Sequence, residues 1–267
     1  MRLTEKEFWD ECWDRVKLPI TVNKWRFLEY SMSHYLEIIT INMDRRSKIM
    51  EVGAGASKWM RYYYEVLGFK NVYGLDYSMI GCSLTSKNLN MIGISDGRIV
   101  CGDIFQMPFK TGTFDLIYSN GVVEHFEDPG KIISLMTDLL KPNGLLLIWV
   151  PNFNGLLGWV QKMIDLEVYL KHKVLTTDDF ILYFQNNHIK KIRISYFGSF
   201  SLKNCEWSRF ASRSLINNII SEILVKGLNM LVTIPLRITG LSFDSRIMSP
   251  SIVAVGMKMK ELRSEEL

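Results

Sequence analysis

Glu51-Val52-Gly53-Ala54-Gly55-Ala56-Ser57 follows an apolar lead-in, and Asp76 ends a second apolar run about 20 residues further on. A strand that runs into a glycine turn and then a helix, with an acid closing the next strand, marks an α/β sheet that binds a ribose-bearing cofactor. The glycines fall short of the dinucleotide fingerprint. Ser57, Lys58 and Trp59 follow Gly55, so the third glycine that lets a helix pack tightly is missing. Glu51 also places a carboxylate where a pyrophosphate would be repelled and a sulfonium or an ammonium would be welcome. The implied cofactor carries a ribose and no pyrophosphate.

Outward from this stretch, elements alternate. Residues 4–18 and 25–42 read as helices, because Phe8, Cys12 and Trp13, then Phe27, Tyr30, Tyr35, Ile38 and Ile39, recur at roughly helical spacing. Ser47 to Val52 is a buried strand and Ser57 to Leu67 its helix. Val72 to Asp76, Arg98 to Cys101, Phe114 to Tyr118 and Gly144 to Val150 read as further strands, with helices over Met79 to Ile92 and Pro129 to Leu140. Successive βα repeats predict a mostly parallel sheet with helices on both faces. Thr177 to Asn187 suits a helix capped by Thr176 or Thr177, and Ile189 to Phe197 and Ile252 to Met259 read as two late strands.

Such a sheet binds ligands at the carboxyl ends of its first, second and fourth strands. S-adenosylmethionine is the best chemical match there. Gly53, Ala54 and Gly55 turn the backbone under its amino-acid portion, and Glu51 answers its positive charge. Asp76 can accept from both ribose hydroxyls; its competing role is to cap the next helix, with Tyr77 and Ser78 beside it. Asp103 can accept from the adenine amino group over a floor of Ile104 and Phe105, or can simply occupy a turn. Asn120 and Gly121 face the methionine portion.

These motifs together resemble the class I S-adenosylmethionine-dependent methyltransferases, especially the ubiquinone-biosynthesis and type 11 methyltransferase groups. The family's glycine loop is similar to Glu51 to Ser57, its ribose acid to Asp76 and its adenine acid to Asp103. Its motif after the fourth strand is similar to Asn120 to Phe126, and its turn before the fifth strand to Leu140-Lys141-Pro142-Asn143-Gly144. The resemblance implies a Rossmann-like seven-stranded mixed sheet of order 3-2-1-4-5-7-6 with the last strand antiparallel. The expected organisation is a helical cap over residues 1–44, a cofactor-binding core over 45–199, an apolar helical insertion over 200–247, a final core strand over 248–260 and a charged tail over 261–267. Ser57 stands where the family commonly has its third glycine, which leaves the contact at that position open.

Methyl transfer asks mainly for alignment, since a sulfonium already carries an activated methyl group. His125 is the candidate catalytic base for a hydroxyl acceptor, with pocket shaping as its alternative role. Trp25, Tyr30 and His34 are candidate acceptor contacts from the helical cap, alongside His125. The other aromatic residues of the cap read as core, and His172 and His188 as loop or surface residues.

With 267 residues and 48% hydrophobic content, the chain can build one large core without metal or disulfide. Its formal charge of +4 is too mild and scattered for a nucleic-acid partner to be expected. Cys12, Cys82, Cys101 and Cys205 share no metal or redox spacing, and the residues at the start of the sequence are charged, so a cytoplasmic setting is expected. No divalent-metal spacing is present.

Leu215, Ile216, Ile219, Ile220, Ile223 and Leu224 make an apolar helical face, with Asn217, Asn218, Ser221 and Glu222 opposite. Glu222, Lys226 and Arg237 interrupt the apolar character and Pro235 is expected to break the helix, which argues against a membrane-spanning segment. Packing over the domain ranks first for this region, ahead of a homodimer or peripheral membrane contact through 215–236. The acceptor is expected to be a small molecule, a glycan or a lipid-linked group, methylated on oxygen or nitrogen. A noncatalytic cofactor-binding protein or a membrane-associated accessory protein is the alternative.

Overall fold

Alternation along the strands sorts apolar side chains onto the two faces of one sheet. The computed structural model describes residues 1–94 and 98–260, and the expected charged tail at 261–267 lies outside them. Strands β1 (Lys48–Val52), β2 (Asn71–Asp76), β3 (Ile99–Cys101), β4 (Phe114–Asn120), β5 (Leu140–Pro151), β6 (Ile189–Phe197) and β7 (Ser251–Lys258) form a sheet of order β3-β2-β1-β4-β5-β7-β6. β1 pairs in parallel with β2 and β4, β2 with β3, and β4 with β5. β7 runs antiparallel between β5 and β6. The expected topology is the one observed.

On one face, Met50, Val52, Ile117, Leu146 and Ala254 meet Ile132 and Met136 of α5 (Pro129–Leu139) and Phe180 and Phe184 of α8 (Thr177–Asn186). On the other, Ile49, Leu116, Tyr118, Leu147 and Val253 meet Met32 and Leu36 of α2 (Phe27–Thr40) and Met60 and Tyr63 of α3 (Trp59–Glu65). Neighbouring residues in a strand thus serve opposite helical layers, as a period of two requires. Burying each Ile or Leu contributes about 1.5–3 kcal/mol. β5 begins four residues earlier than the sequence predicts: Leu140 pairs with Phe114, and the chain then bulges through Asn143 at φ 64° before Leu145 pairs with Leu116.

α1 (Lys6–Asp14) lies against α4 (Met79–Asn90) and buries no residue of its own fully. Asn88, itself fully buried, accepts from Ile20 N–H at 3.0 Å and donates to Ile20 C=O at 2.7 Å, fixing the strap between α1 and α2 onto α4. β5 leads into α6 (Leu156–Ile164) and α7 (Leu166–Leu170). The buried Asn152 amide donates to the carbonyls of Arg246 and Ser249 at 2.8 and 2.9 Å, tying that loop to the approach to β7.

Between β6 and β7 the chain forms α9 (Ser208–Ser212), α10 (Leu215–Glu222), a π-helical segment (Ile223–Leu228) and α11 (Asn229–Thr239). Two expectations change here. Pro235 sits inside α11 without breaking it, and the helix ends only at Gly240, whose left-handed φ of 69° suits a glycine cap. The apolar face expected to pack over the domain is instead exposed at Leu215, Ile216, Ile219, Ile223, Leu231 and Ile238. Ser221, Asn229 and Leu236 are the residues this helical run buries.

Candidate active site

At the carboxyl ends of β1, β2 and β4 lies a cavity of ≈ 1030 Å³. Its floor is the glycine turn. Gly53 adopts φ +76°, and a Cβ there would meet Val122 Cγ2 at 2.1 Å, so both the conformation and the close approach call for glycine. The turn is held from below: Gly53 N–H and Ala54 N–H both donate to Leu75 C=O, at 2.8 and 3.0 Å, and Ser57 N–H donates to the buried Thr85 hydroxyl at 2.7 Å.

Asp76 closes β2 beside this turn. Its Oδ2 accepts from Gly55 N–H at 2.7 Å and its Oδ1 from Ser78 N–H at 2.7 Å. Each carboxylate oxygen keeps a second lone pair, so the side chain that fixes the loop can still accept from two hydroxyls in the cavity. Burial raises its pKa, opposed by these backbone donors and assisted by the nearby Asp10 charge. Glu51 also faces the cavity and is buried, accepting from the Ser57 hydroxyl at 2.6 Å. Burial pushes it up to about 8, only partly offset by that hydroxyl. A buried acid without an ion pair among the described residues is a natural counterion for an entering cation.

The far end of the cavity takes Tyr77, Gly102 and Ile104. Here Arg2 pairs with Asp103, and its guanidinium lies 4.4 Å from the Tyr77 ring centroid and 5.2 Å from that of Phe105. Asp103 also accepts from Phe105 N–H at 2.8 Å, capping a short 3-10 turn. Arg2 enters through an antiparallel bridge to Phe126, with Leu3 N–H donating to His125 C=O at 2.8 Å.

The third wall is the loop after β4. His125 is buried, and its Nδ1 lies 2.9 Å from Lys171 C=O, so Nδ1 carries the proton and Nε2 the lone pair. Burial, with the neighbouring His172 adding to it, pushes His125 down to about 3. Glu124 is buried against it, Oε1 4.0 Å from Nε2, and neither of its carboxyl oxygens finds a hydrogen-bond partner among the described residues. Burial pushes Glu124 up to about 8. Trp9 of α1 meets the His125 ring edge-on at 4.9 Å, and the His172 ring lies 4.3 Å away.

Of the residues expected from the sequence, Glu51, Gly53, Ala54, Asp76, Tyr77, Ile104, Asn120, Gly121, His125 and Trp25 line the cavity. Gly55 instead lies under the Trp13 indole, 2.6 Å from where its Cβ would stand. Ser78 is turned away to cap α4, accepting from Gly81 N–H at 3.0 Å and donating to Asp10. His34 points outward toward Glu37, and Tyr30 stands beside Arg237 at the surface, because both fall on the outer side of α2. His172, expected in a loop or at the surface, lies in the loop after α7 and packs against His125. Arg2, Trp9, Trp13 and Glu124 are the functional-site residues that sequence reasoning did not single out. The i, i+4 pair Trp9 and Trp13 and the acid next to His125 were the available signals.

A mixed sheet with this strand order, a glycine turn and an acid ending the second strand is the fold of class I methyltransferases. Residues 50–148 match the family model described as a methyltransferase domain. Over that segment the chain is similar to the class I S-adenosylmethionine-dependent methyltransferases, in the group related to the ubiquinone and menaquinone methyltransferases. It is 26% identical over 124 residues to methyltransferase str2 of Strobilurus tenacellus, covering 45% of this chain and 42% of that protein. It is 23% identical over 122 residues to the demethylmenaquinone methyltransferase of Bacillus pumilus (strain SAFR-032), covering 45% of this chain and 52% of that protein. The chain thus spans about half the length of the curated relatives it matches. Among solved structures, the geranyl diphosphate C-methyltransferase from Streptomyces coelicolor A3(2) superposes with a TM-score of 0.61 at 13% identity, covering 95% of this chain and 98% of that chain.

Proposed function

We propose that this chain transfers a methyl group from S-adenosylmethionine to an oxygen or nitrogen of a small, largely apolar or lipid-linked acceptor. The observation that carries this reading is one cavity holding a ribose-ready acid, Asp76, a buried acid suited to a cation, Glu51, and an unpartnered buried acid, Glu124. Asp76 would hold the ribose, Glu51 the positive charge, Asn120 and Gly121 the methionine portion, and Ile104 the adenine ring once Arg2 makes room. When bound, the cofactor supplies an activated methyl group and a neutral thioether leaving group.

The protein's remaining task is the acceptor's proton. An O–H or N–H acceptor that gains a methyl group must give up its proton. Glu124 is the stronger base of the two in its ionised form, because burial raises its carboxyl to about 8, whereas His125 near 3 is a weak base; turnover is therefore expected to rise with pH toward 8 as Glu124 ionises. His125, fixed by Lys171 C=O, presents a lone pair that positions the acceptor's hydrogen beside Glu124. Trp25, Met230 and Ile234 give the acceptor an apolar wall. The names of the relatives support an apolar acceptor: one is named for demethylmenaquinone, and the Streptomyces coelicolor structure holds geranyl diphosphate.

Incubation with methyl-labelled cofactor and a panel of polar small molecules, glycans and isoprenoid or quinol lipids tests the reading. Label is expected on oxygen or nitrogen of a lipid-like acceptor. Label on carbon, or no transfer to any class, contradicts it. Glu124→Gln is expected to lower turnover at least 100-fold while cofactor affinity stays unchanged.

A further inference from the structure

The run from Leu215 to Thr239 is long and apolar enough to cross a membrane by length and composition, yet in this fold it lies along the domain. Its orientation is inverted for a surface helix of a soluble protein. The side chains it turns inward include Ser221 and Asn229, while Leu231 is 75% exposed and Ile238 80% exposed. Asn229 accounts for the inversion: its carbonyl oxygen accepts from Leu202 N–H at 3.0 Å and its amide donates to Val225 C=O at 2.6 Å, so polar bonds fix the inner face. The outer ridge Ile219, Ile223, Leu231 and Ile238 is left without a partner among the described residues.

Charge distinguishes the occupants. Residues 200–250 hold Lys203, Arg209, Arg213, Lys226, Arg237 and Arg246 against Glu206, Glu222 and Asp244, an excess of three positive charges out of the chain's net +4. A second copy docking through the same ridge would bring that excess against itself. An anionic bilayer would attract it and accept the ridge in the boundary between headgroups and acyl chains. The ridge is also continuous with the cavity, whose wall takes Met230, Thr233 and Ile234 from the same helix.

We propose that α10, the π-helical segment and α11 seat the protein on an anionic membrane leaflet, with the ridge in the interface and the cavity mouth beside it. The docked helix, about 37 Å long at 1.5 Å per residue, lies in the membrane plane rather than across it. This surface deepens the reading of an apolar acceptor, because a lipid-dissolved molecule then meets the cavity without crossing water. The docking itself does not depend on that chemistry.

Flotation with phosphatidylcholine vesicles, alone or with phosphatidylglycerol, tests the proposal without cofactor or acceptor. The wild-type chain is expected to float with the anionic vesicles at least tenfold more than with neutral ones, less so at high salt. The triple variant Ile219→Asp, Leu231→Asp, Ile238→Asp is expected to lose flotation while keeping its melting temperature and its affinity for S-adenosylmethionine. Failure of the wild type to bind anionic vesicles, or binding that the triple variant retains, overturns the proposal. So does a wild-type dimer in light scattering that the triple variant makes monomeric without any vesicle binding, since a second copy then covers the ridge. Failure of cofactor binding alone would bear on the methyltransferase reading and leave the flotation result standing.

Discussion

The sheet and the helical arm before β7 turn their apolar residues in opposite directions. In the sheet, Ile49, Leu116, Ile117 and Leu147 are fully buried and polar groups gather at the carboxyl ends of the strands. In the arm, Ser221 and Asn229 are buried with Leu236, while Leu215, Ile216, Ile219, Ile223, Leu231 and Ile238 face outward. On the proposed docking, water surrounds the core and an apolar phase lies beside the arm. An element whose inside and outside are reversed is organised for contact rather than for holding the domain together.

The largest test of this contrast is on stability. Ile117→Ala empties a fully buried site in the sheet and is expected to cost about 2–5 kcal/mol in urea unfolding. Ile219→Asp, though a harsher chemical change, is expected to stay within about 0.5 kcal/mol because its site is half-exposed and faces outward. Equal losses would mean that the arm is packed like the core.

The polar ends of the strands come next. Asp76→Ala removes the acceptor proposed for two hydroxyls, with hydrogen bonds to a charged group at about 1.5–3 kcal/mol each, and is expected to weaken S-adenosylmethionine binding on the order of 100-fold in calorimetry. Asp76→Asn keeps the shape and one acceptor oxygen but turns an NH2 donor toward one of the two backbone N–H groups, and its loss is expected to be the smaller of the two. Wild-type affinity in both variants would remove the ribose assignment. Glu51→Gln removes a countercharge while keeping the Ser57 contact and is expected to weaken binding about tenfold; a tighter complex would show that no cation lies there.

A pH profile tests the buried acids without any ligand. Glu51 and Glu124 ordinarily ionise near 4.5, but in the fold they hold their protons up to about 8, so stability is lost as pH rises across that interval. His125 and His172 are held neutral down to about 3 and about 4 against an ordinary 6.5, so stability is also lost as pH falls below 6.5. The two effects oppose each other between 4.5 and 6.5, and above 6.5 only the carboxyl effect remains. The melting temperature of the ligand-free chain should therefore decline from pH 6.5 to 8, and Glu51→Gln should flatten that decline. A profile rising over that range contradicts the buried neutral acids.

The sheet was legible because each of its signals is local. Gly53 and Gly55 follow an apolar strand, Asp76 closes the next, and resemblance supplied the strand order. The cofactor side of the cavity followed for the same reason, since strand ends carry their residues to a fixed place. The acceptor side did not. Tyr30 and His34 fall on the outer face of α2, and helical periodicity alone does not say which face a cap turns inward. Trp13 reaches the site because Gly55 and Gly81 leave room for its indole, a fit between segments far apart in sequence. Glu124 reads as one more loop acid until burial leaves it without a partner. The arm showed its periodicity plainly, but which side faced the domain was decided by Asn229 and its bonds across the fold to Leu202.

Calorimetric titration of the purified chain with S-adenosylmethionine, with NAD as the comparison ligand, tests the central claim most directly. The account predicts selective micromolar binding of S-adenosylmethionine that Asp76→Ala weakens on the order of 100-fold. Binding of NAD in its place, or no binding of S-adenosylmethionine by folded protein, would contradict it.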